Sequence, residues 1–412
     1  MQESSEQREQ NFYGLGIAPG LLEVLVHVGF TKPTPIQVRT IPLGIQGKDL
    51  VGIAQTGTGK TLAFGIPMIQ LLLGRKEQGL VVLPTRELAL QVEASLRKVG
   101  QKQGLRTVVL IGGLPFGRQR RDISGKPHII IGTPGRINDH LIQKTLSLSS
   151  VSMVILDEAD RMFDMGFLPQ IRTILRALPK ERQTMLFSAT MPPEIMKLAA
   201  DYMKTPLRVE VAPSGTIVEG VSQELFVVAR EQKPELLKRL LESYKGSTLV
   251  FTRTKYGAKK VARQIRGLGI RASEIHSNRS LSQRREALDG FKSGKYRVLV
   301  ATDIASRGID VMGIELVLNY DLPSTSDDYV HRIGRTARAG SKGHAITFAM
   351  VSEGKEVRGI ERVIQKRLLT SPLPEGFAVA TKLEEPQRSS RPRPRGRGRS
   401  GPRQRHTGFG RR

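Results

Sequence analysis

Two consecutive α/β domains followed by a basic tail are the architecture this sequence predicts, on three observations. Short apolar runs alternate with longer helix-like segments from Gly14 to Val211, and the alternation restarts from Leu225 to Phe348. Between the two series lies a break without hydrophobic periodicity, interrupted by Pro213, Ser214, Gly215 and Gly220. From Glu385 onward the chain is Arg, Pro, Gly and Ser with almost no apolar residue. Such alternation implies parallel sheets covered by helices on both faces, and 412 residues allow each half a core of its own. The predicted divisions are a first domain over 1–211, a linker over 212–220, a second domain over 221–370 and a tail over 371–412.

Composition narrows the function. With 65 Lys+Arg against 38 Asp+Glu, the net charge of +27 calls for a polyanionic partner, either nucleic acid or an anionic membrane surface. No uninterrupted apolar stretch approaches the roughly 20 residues that a span requires, which favours nucleic acid over membrane. Zero Cys rules out disulfides, thiolate chemistry and cysteine-ligated zinc, and seven His argue against a histidine metal cage. Met1 to Gln10 is polar and acidic, without the apolar segment of a secretory signal, so the expected location is cytoplasmic. Zero Trp and 5% aromatic residues argue against broad stacking platforms and for contacts to the nucleic-acid backbone.

In the first domain Leu50 to Ile53 reads as a strand, Ala54-Gln55-Thr56-Gly57-Thr58-Gly59-Lys60-Thr61 as a glycine-rich turn, and Leu62 to Leu73 as a helix. Gly57 and Gly59 let backbone N–H groups curl around an anion, and Lys60 and the helix N-terminus add positive charge. Thr61 can place its hydroxyl on a magnesium ion. Ala54 stands where the pattern G-x-x-x-x-G-K-[ST] has its first Gly, so a plain glycine turn stays open on this motif alone.

Further strands are predicted over Leu80 to Leu83, Val108 to Ile111, Ile129 to Ile131, Met153 to Leu156, Met185 to Phe187 and Leu207 to Val211. Several end in polar or glycine clusters, namely Pro84-Thr85-Arg86, Gly112-Gly113, Thr133-Pro134-Gly135-Arg136, Asp157-Glu158 and Ser188-Ala189-Thr190. Open α/β sheets bind ligands at such strand ends. In Asp157-Glu158-Ala159-Asp160, Asp157 can hold magnesium directly or through water, and Glu158 can orient or deprotonate an attacking water. An acidic helix cap would need one carboxylate rather than three in four positions.

The second domain is predicted to carry strands at Leu225 to Val228, Leu249 to Phe251, Ala272 to Ile275, Val298 to Val300, Leu316 to Leu318 and Ala345 to Phe348. Helices are predicted at Lys233 to Tyr244 and Gly257 to Leu268, with a last amphipathic segment over Glu356 to Leu369 before Pro372 and Pro374. It has no glycine-rich lysine loop, so only the first domain can cradle phosphates. Arg335 and Arg338, three apart, fit either a solvated helix face or an anion contact. The run from Arg391 to Arg399 cannot offset the entropy of ordering and is expected to be disordered, as a solubilising tail or an arm for RNA or another polyanion.

Asp157 to Asp160, Ala54 to Thr61, Pro84 to Ala89, Thr133 to Arg136, Ser188 to Thr190, Ala301 to Asp310 and His331 to Gly340 together resemble the DEAD-box ATP-dependent RNA helicases, in the family's order and spacing from about Phe12 to Met350. Bacterial members are the nearest in character. The resemblance implies two RecA-like domains with ATP and Mg2+ in the cleft between them and RNA across both. It implies adenine recognition by Gly29 to Gln37, with Gln37 at the base edge and Lys32 binding the nucleotide, stacking on the ring by Phe12 upstream, and phosphate binding by Gln55, Thr56, Gly57, Thr58, Gly59, Lys60 and Thr61. Gln37 suits adenine because an amide donates and accepts together.

By the same resemblance Thr61 and Asp157 hold Mg2+, Glu158 acts on water, Arg335 and Arg338 are arginine fingers, and Gly308 and Asp310 meet the ribose side. Asp160, Ser188, Thr190 and His331 form a polar relay between ATP and RNA. RNA contacts fall on Pro84, Thr85, Arg86, Gly112, Gly113, Thr133, Gly135 and Arg136, and in the second domain on Thr252, Arg253, Arg284 and Thr302. Small residues there would grip phosphates and 2′-OH groups without reading bases.

Three positions depart from the family pattern: Ala337 for a usual Gly, Ser306 for a common Ala, and Leu281 for a Gln three residues before Arg284. The expected activity is RNA-stimulated ATP hydrolysis driving local, non-processive duplex unwinding or RNA–protein remodelling by a monomeric core. Ribosomal or RNA-decay proteins are candidate partners. The competing readings are an ATP-gated RNA clamp or scaffold, and a DNA helicase on the same core.

Overall fold

The computed structural model describes residues 11–55, 57–211, 220–303, 313–336 and 343–377, apart from the Asp327 side chain. Residues 212–219 of the expected linker 212–220, the tail beyond Phe377, and Thr56, Ser306, Gly308, Asp310, Ala337 and Arg338 lie outside the described residues.

The chain forms two seven-stranded sheets. The first holds β1 (Leu50–Ile53), β2 (Gln78–Val82), β3 (Thr107–Leu110), β4 (Ile129–Gly132), β5 (Val151–Leu156), β6 (Gln183–Ser188) and β7 (Leu207–Glu210), in the order β3-β4-β2-β5-β6-β1-β7. The second holds β8 (Val221–Val227), β9 (Thr248–Phe251), β10 (Ala272–Ile275), β11 (Val298–Ala301), β12 (Leu316–Asn319), β13 (Gly343–Ala349) and β14 (Leu369–Thr370), in the order β10-β11-β9-β12-β13-β8-β14. Every pairing is parallel. This is the two-domain RecA-like arrangement expected from the sequence.

The central strands read as unbroken apolar runs because both of their faces are covered. β1, β4, β9, β11 and β12 are buried along their whole length, as sheets sandwiched between helices require. Phe64, Met68 and Ile69 of the helix Lys60–Leu72 join one face of the first sheet to the helix Arg86–Gly100, while Ile171, Ile174 and Leu175 cover the other. At Gly52 an added Cβ would stand 2.6 Å from the Phe187 ring, so the strand beside the glycine turn has room for no side chain there.

Two boundaries differ from expectation. The amphipathic segment over Glu356 to Leu369 ends as a helix at Ile364, where Gln365 takes a left-handed φ of 51°. The chain then turns back and Leu369–Thr370 adds a short edge strand, β14, beside β8. Leu373 and Phe377 also pack against the second core, with Arg239 over the Phe377 ring at 5.0 Å, so packing continues into the stretch assigned to the tail.

Candidate nucleotide cleft and nucleic-acid edge

The strand order divides the C-terminal edge of the first sheet into two neighbourhoods. Loops after β1, β5 and β6 gather on one side, and those after β3, β4 and β2 on the other.

On the first side the turn after β1 is shaped by its glycines. Gly57 and Gly59 both adopt φ of 90°, open to glycine without strain. At Gly59 a Cβ would lie 2.5 Å from Gln37 Nε2 and 2.9 Å from Thr34 Oγ1, so the turn and the Gln37 helix are in direct contact. Thr58 Oγ1 donates to Gln55 O at 2.8 Å, and buried Lys60 donates from Nζ to Ala54 O at 3.0 Å, folding the lysine back over its own loop.

Gln37 does two structural jobs that the sequence reading did not give it. Its Oε1 accepts from Thr34 N at 2.9 Å, capping the helix Pro35–Ile45, and its Nε2 donates to Gly59 O at 2.9 Å. Each amide atom keeps one further hydrogen-bonding capacity, an N–H and a lone pair, which an adenine edge could take.

After β5, Asp157 is buried and accepts from Glu158 N at 2.9 Å. Burial raises its pKa to about 6, Lys60 pulls it down and Glu158 pushes it up. Glu158 sits at φ 54°, a left-handed conformation unusual for a residue with a side chain, and pairs through Oε2 with Arg161 at 3.2 Å. Strain of this kind at a strand end is a feature of functional sites.

Asp160 organises the loop after β6. Its Oδ2 accepts from Ala189 N at 3.1 Å, Thr190 N at 2.9 Å and Thr190 Oγ1 at 3.1 Å, and its own N–H donates to Ser188 Oγ at 3.1 Å. Asp160, Ser188 and Thr190 are therefore one hydrogen-bonded unit. His331 approaches from the second domain: burial, then Arg161 and Arg335, hold its pKa well below the usual value, so the ring is neutral at physiological pH.

Phe12, Lys32, Gln37, Gly57, Gly59, Lys60, Thr61, Asp157 and Glu158 from the first domain and Arg335 from the second line a cleft of about 380 Å³. Arg335 is buried, and its Nε donates to His331 O at 3.2 Å. The cleft fits a nucleoside triphosphate: an aromatic and amide end at Phe12 and Gln37, a glycine cradle with a lysine, and an arginine facing them. No cluster of three or more His, Asp or Glu side chains suited to a metal occurs among the described residues. A magnesium ion held by Asp157 and Thr61 would complete its shell with phosphate oxygens and water, as magnesium commonly does.

On the other side of the sheet edge the three clusters meet. Arg86 lies across the glycine turn, where a Cβ on Gly113 would be 2.6 Å from its Nη1 and one on Gly112 2.9 Å from its Nη2. Arg136 donates to Leu114 O at 3.1 Å, and Thr85 caps the helix Arg86–Gly100 through Leu88 N. Pro84 and Thr133 are buried beneath, and Gly135 is partly exposed.

In the second domain Thr252 follows β9 and Thr302 follows β11, both buried, while Arg253 is exposed. Arg284, an expected RNA contact, is buried. Its Nη2 meets Glu87 Oε2 at 2.8 Å, a buried ion pair between the two domains.

Sequence reasoning also passed over Arg161 and Arg332. Arg161 is 1% exposed, pairs with Glu158 and borders a small cavity with His331 and Arg335. Arg332 is 2% exposed, meets Asp303 Oδ2 at 2.8 Å and Asn319 Oδ1 at 3.1 Å, and lies over Phe251. Arg161 stands three residues after Glu158, a helical spacing that could have flagged it; Arg332 depends on partners far along the chain and carries no such signal.

Comparison with known proteins gives the same picture. Residues 34–198 match the DEAD/DEAH box helicase family, and residues 232–340 match the helicase conserved C-terminal domain. The chain is similar to the DEAD-box ATP-dependent RNA helicase CshA of Bacillus cereus, 42% identical over 360 residues, covering 87% of this chain and 69% of that protein. It is also similar to the ATP-dependent rRNA helicase RRP3 of Debaryomyces hansenii, 41% identical over 382 residues, covering 92% of this chain and 80% of that protein. Among solved structures it superposes on Saccharomyces cerevisiae Dbp5 bound to RNA and ADP BeF3, with a TM-score of 0.80 and 29% identity, covering 88% of this chain and 96% of the other.

Proposed function

Because this chain belongs to the DEAD-box family of ATP-dependent RNA helicases, we propose that it couples ATP hydrolysis to local, non-processive separation of RNA duplexes or remodelling of RNA–protein complexes. The observation that carries this reading is that Arg335, from the second domain, lines the same cleft as Lys60, Asp157 and Glu158. A cleft completed by the opposite domain ties chemistry to domain closure.

In this reading Phe12, Lys32 and Gln37 hold the adenine, and the backbone of Gln55 to Gly59 with Lys60 holds the phosphates. Gly308 and Asp310 serve the ribose side. Asp157 and Thr61 would hold Mg2+, which would supply positive charge to stabilise the phosphate oxygens. Glu158 orients the attacking water and accepts its proton, with Arg161 fixing the carboxylate through their 3.2 Å pair. Arg335 and Arg338 meet the charge that develops on the transferring phosphoryl group, a contribution worth about 10³ to 10⁵ in rate.

RNA lies along Pro84, Thr85, Arg86, Gly112, Gly113, Thr133, Gly135 and Arg136 and continues over Thr252, Arg253 and Thr302. The Asp160–Ser188–Thr190 unit and neutral His331 link that strip to the phosphate cleft. Arg284 acts by pairing with Glu87 and so by holding the domains together. The core works as a monomer in the cytoplasm, with ribosomal or RNA-decay proteins as partners and the basic tail as a further RNA arm.

The test compares ATPase stimulation by RNA and by DNA of matched sequence and length. RNA is expected to stimulate strongly and DNA little; equal stimulation would sink the choice of RNA.

A further inference from the structure

The helix Lys255–Gly267 follows directly on Thr252 and Arg253 and has two unlike faces. Ala258, Val261, Ala262 and Ile265 are buried in the second core. Tyr256, Lys259, Lys260 and Arg263 stand at i, i+3, i+4 and i+7, one solvent-facing stripe on which successive side chains are neighbours. The helix contains no acidic residue. Among the described residues Lys259, Lys260 and Arg263 have no carboxylate partner, whereas Arg266, three residues further on at the edge of the stripe, is paired with Glu274 at 2.7 Å.

Tyr256 begins the stripe with 72% of its surface exposed, and the Lys255 ammonium lies 5.3 Å from its ring centroid. Thr254 Oγ1 accepts from Gly257 N at 3.0 Å, fixing the first turn beside Arg253. An exposed aromatic ring heading a row of unneutralised cations matches the chemistry of a nucleic-acid strand: stacking for a base and charge for its phosphates.

Resting on the RNA-helicase reading above, we propose that the solvent face of this helix is an auxiliary RNA site that carries the strand, or a duplex arm, beyond the core contacts at Thr252 and Arg253. Lys259, Lys260 and Arg263 bind the phosphodiester backbone, which single and double strands share. Tyr256 stacks on an unpaired base where the strand is single.

The experiment measures RNA affinity across salt for the wild type and the triple variant Lys259→Gln/Lys260→Gln/Arg263→Gln. Three probes are used: a short single strand that fills only the core strip, the same strand with a single-stranded extension, and the same strand with a duplex arm. The slope of log affinity against log salt should fall by about 2 on the single-stranded extension and nearer 3 on the duplex arm, at roughly 0.7 and 0.9 per phosphate for three cations, and on the short probe it should not change. Tyr256→Ala should weaken the single-stranded extension about fivefold and leave the duplex arm alone.

An unchanged slope on both extended probes overturns the proposal, and so does an equal loss on the short probe, which would mean a general field rather than a contact. Loss of binding to poly-glutamate with an unchanged RNA slope would make the face a site for an acidic polypeptide and overturn it too. Wild-type ATPase stimulation by the short strand tests the core reading separately.

Discussion

The two domains share one strand order, position for position, and differ in what happens between a lysine and a carboxylate. In the first, Lys60 opens the helix after β1 and Asp157 follows β5; no ion pair joins them among the described residues, although the Lys60 charge pulls the Asp157 pKa down. In the second, Lys233 opens the helix after β8 and Asp321 lies just past β12, and the pair is closed at 3.2 Å, with Lys233 Nζ also donating to Tyr320 O at 2.8 Å. One sheet leaves its charges apart for a phosphate to join; the other joins them within the protein. The fold supplies strand ends in both halves, and the loop chemistry decides which becomes a site.

The sharpest way to break that comparison is to exchange the roles of the lysines. Lys60→Ala should abolish ATPase activity and lower the melting temperature without nucleotide less than Lys233→Ala does, because in the free protein Lys60 Nζ donates only to Ala54 O and forms no ion pair among the described residues. Lys233→Ala should do the reverse, lowering stability by about 2 kcal/mol through the unpaired carboxylate and carbonyl left behind, with nucleotide binding intact. Thermal melts and ATPase assays on both variants check this.

Asp157 sharpens it from the other side. Burial raises its pKa from the ordinary 3.8 to about 6, so the folded chain holds this proton more tightly than the unfolded chain. The stability it contributes is present below about pH 4 and lost as pH rises through about 6; at neutral pH the ionised group is a cost. Asp157→Asn should therefore stabilise the nucleotide-free protein at pH 7 by up to about 3 kcal/mol, with no gain near pH 3. It should also cost magnesium-dependent nucleotide binding. A melt with no gain at pH 7 would argue that the carboxylate is solvated.

A smaller effect is expected where the halves touch. The buried Glu87–Arg284 pair spans 2.8 Å between domains. In a double-mutant cycle of Glu87→Gln and Arg284→Gln, RNA affinity with a non-hydrolysable ATP analogue should show a coupling of about 1 to 2 kcal/mol. Without nucleotide the coupling should vanish, and a coupling of equal size there would mean that the pair does not report closure.

Much of this was legible in the sequence for identifiable reasons. Strands such as β1, β9 and β12 are buried on both faces and read as contiguous apolar runs, so their positions followed from the local apolar pattern. β14 did not: two exposed residues beyond a helix carry no periodicity, and only pairing with β8 defines them. The phosphate turn and the acidic strand end were legible as local strings of residues, whereas Arg335 was singled out only through the family resemblance, since two arginines three apart also fit a solvated helix face. The second capacity of Gln37 as a brace for Gly59, the Glu87–Arg284 pair and the Lys233–Asp321 pair were not legible, since each joins residues far apart in the chain. Leu281, the departure from the family's Gln, packs beside the apolar cluster of the first domain near Gly113, a contact no reading of the second domain alone would give.

On the proposed function the first domain holds ATP but hydrolyses it fast only when the second delivers Arg335. The most direct test is single-turnover ATP hydrolysis by Arg335→Ala, with and without saturating RNA, alongside nucleotide affinity. The account predicts near-normal nucleotide affinity and loss of RNA stimulation by about 10³-fold or more. A variant that keeps its stimulation by RNA would contradict it.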